Sequence, residues 1–574
     1  MKEIKMIWKY SEGYHRVMLF LPLAVIADVV MEVLIPFLMS DILDKGIGGQ
    51  DLHYILQIGI YMAAAAVFLT VAGFVESYYI SVWSAGFTKN LRCGLFEKIQ
   101  ALSVSDIDAF TPASLITRMS TDMNFIKKAA GMTTSLIKCP MLIFSSILMT
   151  FGISRHLFWL FVAVTPVFAV VLFVISKLSR KHYRKMFVNY DHMNNILEET
   201  VAAIRTVKAF AREEYVCGRF NESAEDVRRE THAAEQITVL NNPILQFAVN
   251  ICVLLLIFFG GREIIAGVLQ PGDLFCMITY TNAILFQVII IALILVPILS
   301  AQISMDRVLE VLAARPHLVE VVGNESPSPC DGSIRFEKVN FGYTKNKLII
   351  KDMNLNIASG STLGIIGPSG SGKTTLVQMI TRFYDVSSGK ITVGGYDVRD
   401  YRQDRLRAEI GLVSQKCVLF SGTVKDNLRW GKEDATDEEI VAACKAAAAH
   451  DFICTFPNGY DTLINQGGTN VSGGQRQRLC IARALIRKPR ILILDDCLSA
   501  VDTVTDAMIG RAIWESFKGT TIIKISQRIA SIQLSDQILV MNKGCANGIG
   551  THEELLERNT IYREIFESQR RSME

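Results

Sequence analysis

The stretch Gly367-Pro-Ser-Gly-Ser-Gly-Lys373-Thr374-Thr375 joins glycines, a lysine and hydroxyls in an order suited to holding phosphate. It follows the apolar run Thr362–Ile366 and precedes a helix-like segment, Leu376–Arg382. That strand–loop–helix context is what a phosphate-binding loop requires and a glycine-rich surface turn does not. The glycines let backbone N–H groups approach the phosphates, and the helix N-terminus adds partial positive charge. Lys373 is expected to reach the β- and γ-phosphates, and Thr374 to offer its hydroxyl to Mg²⁺. The nucleotide contacts expected from the loop are Gly367, Ser369, Gly370, Gly372, Lys373, Thr374 and Thr375. Further on, Ile491-Leu-Ile-Leu-Asp495 reads as a buried strand ending in a carboxylate, the expected holder of Mg²⁺.

The elements that position these residues fill less than half of the chain. At 574 residues two or more domains are expected. Half of the residues are hydrophobic and the mean hydropathy is positive. The apolar excess lies before about Ser300, and the remainder has an ordinary soluble α/β composition. A membrane domain followed by a soluble one is the natural division. A net charge of +3 is too small to suggest nucleic-acid binding. The 12 cysteines stand singly with no CxxC pair, as expected of thiols in a reducing cytosol.

A bilayer-spanning helix needs about 20 mostly apolar residues. Six candidates are Val17–Ile42, Tyr54–Val82, Met132–Ile153, Leu157–Ile175, Pro243–Gly260 and Leu274–Leu299. The basic N-terminus MKEIKMIWKY has no small-residue cleavage site after it, so it reads as an interfacial helix leading into a retained span. Lys2, Lys5, Lys9 and Arg16 precede span one. Lys89, Arg92, Lys98, Arg118, Lys127 and Lys128 separate spans two and three. Lys177, Arg180, Lys181, Arg184 and Lys185 follow span four. The other connections are short and poor in Lys and Arg, so the positive-inside rule places both termini in the cytoplasm. The two basic connections are long and poor in Gly and Pro, and are expected to be helices that carry the spans into the cytosol as two hairpins.

After Gly323 the run NESPSPCDGS is rich in Ser, Pro and Gly and reads as a linker. The expected divisions are a transmembrane domain over 1–320, a linker over 321–333 and a nucleotide-binding domain over 334–574. From Ile334 the pattern turns β-rich and then alternates strands with helices, as a nucleotide-binding α/β domain does.

Between the phosphate loop and Asp495 lies Val471-Ser472-Gly473-Gly474-Gln475-Arg476-Gln477-Arg478. With this signature the sequence resembles the ATP-binding cassette (ABC) family, over essentially the whole chain. The family's order of motifs is present: Tyr343 in FGY, the phosphate loop, Gln415, Ser472–Gln475, Asp495, and Asp502 in SAVD. Spans fused ahead of the nucleotide domain look like the exporter branch. The resemblance implies that Tyr343 stacks on adenine and that Gln415 reaches the Mg²⁺ or the attacking water. It also implies that Ser472, Gly473, Gly474 and Gln475 cradle the γ-phosphate of ATP held by a second subunit. Asp502 belongs to the same implied nucleotide site. Two nucleotide domains would then close head-to-tail on two ATP molecules. The segments Ile107–Leu115 and Ala209–Val216 resemble the coupling helices that transmit this movement to the spans.

Two positions depart from the family's catalytic pattern. The general base after the Mg²⁺-binding aspartate is normally Glu and here is Asp496; the switch His is here Gln527. Asp is one methylene shorter, and a misplacement of about 1 Å can cost on the order of 10²-fold in rate. Gln can donate a hydrogen bond but carries neither proton nor charge. A weak site beside an intact signature points to a heterodimer with a second half-transporter; a homodimer with slow ATPase is the alternative. The expectation is ATP-driven, Mg²⁺-dependent export of a small molecule, lipid or peptide through a bilayer, favouring the bacterial plasma membrane. An ATP-gated channel or sensor is the competing class.

Asp28 and Glu32 lie four apart on one face of span one, and Glu76 sits in span two. Intramembrane carboxylates mark a substrate contact or a structural pair, and both readings stand here. Arg262 and Glu263 read as interfacial anchors, and Cys497 as a small packing residue.

Overall fold

A computed structural model describes residues 2–318, 327–344, 347–499 and 501–571. The linker expected over 321–333 therefore lies partly outside the described residues. The chain forms two compact units: Met1–Ala101 with Phe110–Ala314, and Leu102–Ala109 with Arg315–Glu574.

The first unit is helical throughout. In chain order the helices begin with α1 (Lys2–Tyr10), α2 (His15–Asp41), α3 (Leu52–Ala101), α4 (Val104–Phe110, which apart from Phe110 belongs to the second unit), α5 (Pro112–Thr117), α6 (Met123–Gly131) and α7 (Thr133–Ile153). They continue with α8 (Arg155–Ala202), α9 (Ile204–Ala209), α10 (Glu213–Thr238), α11 (Asn241–Ile265) and α12 (Pro271–Ala313). Among the described residues six helical stretches are long and apolar enough to cross a bilayer; five contain the expected spans, and the sixth, Pro271–Ile294, overlaps the expected Leu274–Leu299. Several helices run far beyond the apolar stretches. α3 has 50 residues and α8 has 48, roughly 75 and 72 Å at 1.5 Å per residue, more than twice a hydrocarbon core. Prolines lie inside α2, α7, α8 and α12, as helices in membranes tolerate.

Among the described residues only the α12 span is half covered by the rest of the chain; the others leave most of their apolar surface bare. α12 is tied in by polar bonds. Tyr280, 1% exposed, donates to the Val33 carbonyl at 2.7 Å. Asp122, fully buried, accepts from Arg307 at 2.5 Å and Ser304 at 2.8 Å. At its start, Gly272 donates its N–H to Asp44 at 2.6 Å, and a Cβ there would stand 2.5 Å from the Ser40 carbonyl.

The expected coupling segments are not single helices. Ile107–Leu115 spans the end of α4, a break at Thr111 (φ 62°) and the start of α5, whose Pro112 suits a first helical position. Ala209–Val216 runs through a turn at Ala211 (φ 48°) into α10.

The second unit contains an antiparallel sheet, a mostly parallel sheet and helices. The strands are β1 (Ile334–Phe341), β2 (Ile350–Ile357), β3 (Thr362–Ile366), β4 (Ser388–Val393), β5 (Tyr396–Asp397), β6 (Ile410–Val413), β7 (Gly422–Thr423) and β8 (Leu463–Ile464). They end with β9 (Ile491–Asp495), β10 (Thr521–Ile525), β11 (Gln537–Asn542) and β12 (Cys545–Gly550). The antiparallel order is β2-β1-β4-β5, the large sheet runs β12-β11-β3-β10-β9-β6, and β7 pairs with β8. Among the described strands of the large sheet only β12 is antiparallel. β9 is buried on both faces, which accounts for its unbroken Ile-Leu run.

Candidate nucleotide site

Parallel pairing brings the sequence-distant motifs together. β3, β10 and β9 are adjacent, so the phosphate loop after Ile366, Gln527 after Ile525, and Asp495–Asp496 all emerge at one carboxyl edge. Ligands bind at that edge in open α/β sheets. Gln415 follows β6, the next strand over.

The loop leads into the helix Lys373–Ile380, with Gly370 (φ 77°) and Gly372 (φ 98°) in backbone that favours glycine. Lys373 Nζ donates to the carbonyls of Gly367 at 2.8 Å and Pro368 at 2.9 Å, folded over its own loop. Burial pushes its pKa down, against the pull of Asp496 and Asp495. Ser371, 3% exposed, has a buried hydroxyl with no hydrogen-bond partner. An orphaned hydroxyl inside a glycine loop fits a phosphate oxygen. Sequence reasoning does not single it out, since serine is common in such a run.

Thr374 donates its hydroxyl to Asp495 Oδ1 at 3.1 Å. Burial raises the Asp495 pKa and the Asp496 charge raises it further, while Thr374 and Lys373 oppose. One hydroxyl and one carboxylate completed by nucleotide oxygens is the donor set that suits Mg²⁺, so these residues fit that ion. Asp496 stands at φ 45°, a conformation Asp tolerates better than most residues. Its Oδ2 accepts from Gln527 Nε2 at 3.0 Å and from Gln415 Nε2 at 3.5 Å. Burial also raises the Asp496 pKa, opposed chiefly by the Gln527 hydrogen bond.

Tyr343 is half exposed; its hydroxyl lies 3.1 Å from that of Thr375 and donates to Gln378 at 3.3 Å. Its ring meets Tyr384 edge-on at 5.1 Å, and Tyr384 donates to Asp108 at 2.5 Å. Ser472 caps the helix Gly473–Leu485: its hydroxyl accepts from the Gln475 N–H at 3.2 Å and its own N–H donates to Gln475 Oε1 at 2.9 Å. Among the described residues no hydrogen bond joins Ser472–Gln475 to the phosphate loop. Asp502 caps the helix Thr503–Ser516 by accepting from Thr505 at 2.9 Å. Cys497 is buried, which pushes its thiol pKa up. In the membrane unit Glu263 accepts from Ser154 at 3.0 Å.

The family described as ABC transporter transmembrane region matches residues 18–289, and that described as ABC transporter matches 350–499. The ABC transporter ATP-binding protein YfiB of Bacillus subtilis (strain 168) is 34% identical over 95% of each chain. The chain belongs to the ABC transporter family. The ATP-dependent lipid A-core flippase of Desulfotalea psychrophila is 32% identical over 93% of each chain. A solved bacterial Atm1-family ABC exporter with ATP bound superposes with a TM-score of 0.84 at 25% identity, over 96% of this chain and 99% of that one. This ABC transporter is thus a half-transporter of exporter architecture. Its helical membrane domain precedes a nucleotide-binding domain that is an ATPase coupled to transport.

Proposed function

We propose that this ABC transporter exports a small or amphipathic substrate as one half of a heterodimer, with a hydrolytically weak ATP site on its own phosphate loop. The supporting observation is the amide of Gln527 held 3.0 Å from Asp496. A short carboxylate, occupied by an amide that cannot accept a proton, is poorly placed to polarise an attacking water. The loop residues Gly367–Thr375 bind the phosphates, Tyr343 the adenine, and Thr374, Asp495 and Gln415 would hold Mg²⁺, which supplies charge neutralisation at the phosphates.

Ser472–Gln475, on an intact helix N-terminus, complete the competent site carried by the partner. Asp502 belongs to the same nucleotide site. The bare apolar faces of five spans suit lipid and a second membrane half. Basic residues cluster in α1, from the end of α3 through α6, and in α8 beyond its apolar run, which supports cytoplasmic termini in a bacterial plasma membrane. The lipid A-core flippase relative makes a lipid-like amphipath a reasonable cargo.

Purification from the native host with identification of the co-purifying subunit, followed by ATPase assays of the pair and of this chain alone, tests the reading. A heterologous subunit and at least about tenfold faster turnover by the pair are expected. Fast hydrolysis by this chain alone would favour a homodimer and overturn the proposal.

A further inference from the structure

Within the membrane unit a cavity of about 430 Å³ opens between α2, α7, α11 and α12. That volume lies within the range of small-molecule sites. Its walls include Val33, Leu142 and Phe286, and its polar lining includes Glu32, Gln246 and Ser146. Two observations make it more than an apolar gap.

The first is charge. Lys138 of α7 lies 2.5 Å from Asp28 and 3.1 Å from Glu32, both on α2. Asp28 is buried, with 2% of its surface exposed, and alone suffices to neutralise the ammonium. The Glu32 side chain keeps about a third of its surface free and lines the cavity, so its charge is surplus and faces the space. Glu76 of α3 accepts from Thr134 and lies near the same group. A carboxylate excess in a bilayer-embedded site is costly unless a cation offsets it.

The second is an unmet polar atom. Ser146, 1% exposed, lines the same cavity and its hydroxyl has no hydrogen-bond partner. A buried orphan costs about 1–3 kcal/mol until something bonds it. A wholly apolar occupant would leave both Ser146 and the Glu32 excess unanswered, and an anion would meet Glu32 directly.

We infer that this cavity binds an amphipathic monocation, with an apolar body against Phe286 and Leu142 and its positive end on Glu32, and that Lys138 is the resident cation with which it competes. The inference deepens the exporter reading and rests on it for the meaning of the site as a cargo site. A substrate amine or quaternary centre takes one carboxylate of the shared pair while Asp28 retains Lys138. No proton or covalent bond changes hands.

The test uses the full-length chain in phosphatidylcholine nanodiscs. Equilibrium binding of radiolabelled tetraphenylphosphonium is compared with that of tetraphenylborate, an anion of nearly the same shape, after subtraction of empty discs. Saturable binding of the phosphonium alone is expected. Glu32→Gln should weaken it about tenfold, and Lys138→Gln should tighten it severalfold by removing the competitor. Glu32→Asp, which keeps the charge but withdraws it by one methylene, should fall between and serves if the glutamine variant does not fold. Equal saturable binding of both probes overturns the inference, as does phosphonium binding that no Glu32 variant alters at unchanged unfolding temperature. Because binding is read without nucleotide, Glu32-dependent binding without ATP-driven transport counts against the exporter reading alone. Transport indifferent to Glu32→Gln counts against this site alone.

Discussion

Gln527 donates its side-chain amide to Asp496 across 3.0 Å, although 31 residues separate them in the chain. Register brings about the meeting. Ile525 pairs with Asp495 across β10 and β9, and the Asp496 N–H then donates to the Ile525 carbonyl at 3.0 Å. Both departures from the family's catalytic pattern are therefore neighbours that bond each other. The pair forms a unit, so changes to it are expected to couple rather than add.

Asp496→Glu with Gln527→His together should raise single-turnover ATP hydrolysis on this chain's own loop by on the order of 10²-fold. Asp496→Glu alone should gain less, since the Gln527 amide would still occupy the carboxylate. Phosphate release from the assembled transporter, with the partner's site blocked, measures it. Turnover unchanged in the double variant would show that the pair is not what limits this site.

Gly367 has no room for a side chain. A Cβ there would stand 2.2 Å from the Met541 carbonyl oxygen and 3.0 Å from Ser371 Oγ. Gly367→Ala must displace the loop, and binding of a fluorescent ATP analogue should weaken by at least about tenfold. Gly370→Ala is the control: its Cβ meets nothing within 4 Å, and only its φ of 77° is strained, at about 1–2 kcal/mol. Equal losses in the two variants would contradict a steric cause at Gly367.

The spans were legible because an uncharged apolar run of bilayer length rarely arises except to cross a membrane. Their continuation into the cytosol was legible too, because the two basic connections carry few Gly or Pro to stop a helix; the residue at which each helix ends was not. Beyond the bilayer α3 and α8 continue through polar residues whose helicity comes from packing against neighbours, a signal absent from hydropathy. The phosphate loop and Asp495 were legible because their chemistry dictates residue types at fixed spacing. Lys138 was visible inside span three, yet its pairing with Asp28 and Glu32 depends on how α7 packs on α2. The break at Thr111 had a local cue in Pro112, which disfavours helix in the residue before it.

Ser472 and Gln475 cap the signature helix reciprocally at 3.2 and 2.9 Å. Ser472→Ala should lower stability by about 1 kcal/mol and, on the proposed reading, slow hydrolysis at the partner's site. Adding Gln475→Ala should cost less than the sum of the single changes, because the box is already broken. Thermal unfolding of the two single variants and the double variant measures this. Strict additivity would mean that the two bonds are independent.

Asp106 collects the start of α4 and the segment after Ala314. Its carboxylate accepts from the Ser103 N–H at 3.0 Å, the Ser103 hydroxyl at 2.5 Å and the His317 N–H at 3.2 Å, and lies 2.5 Å from His317 Nδ1. Burial alone would push its pKa up; the bonds from Ser103 and His317 outweigh that and hold it below the ordinary value. A depressed carboxyl gives stability that is present above the unfolded pKa, near ~3.9, and is lost as pH falls through the lower folded value. Asp106→Asn should therefore cost about 1–3 kcal/mol of local stability at neutral pH, and the gap should narrow as pH falls below the unfolded pKa and through the lower folded one. Amide exchange protection over 103–109, normalised for intrinsic rates, reads both. A deficit that stays constant across that pH range would show that the ionised carboxylate is not what fixes this turn.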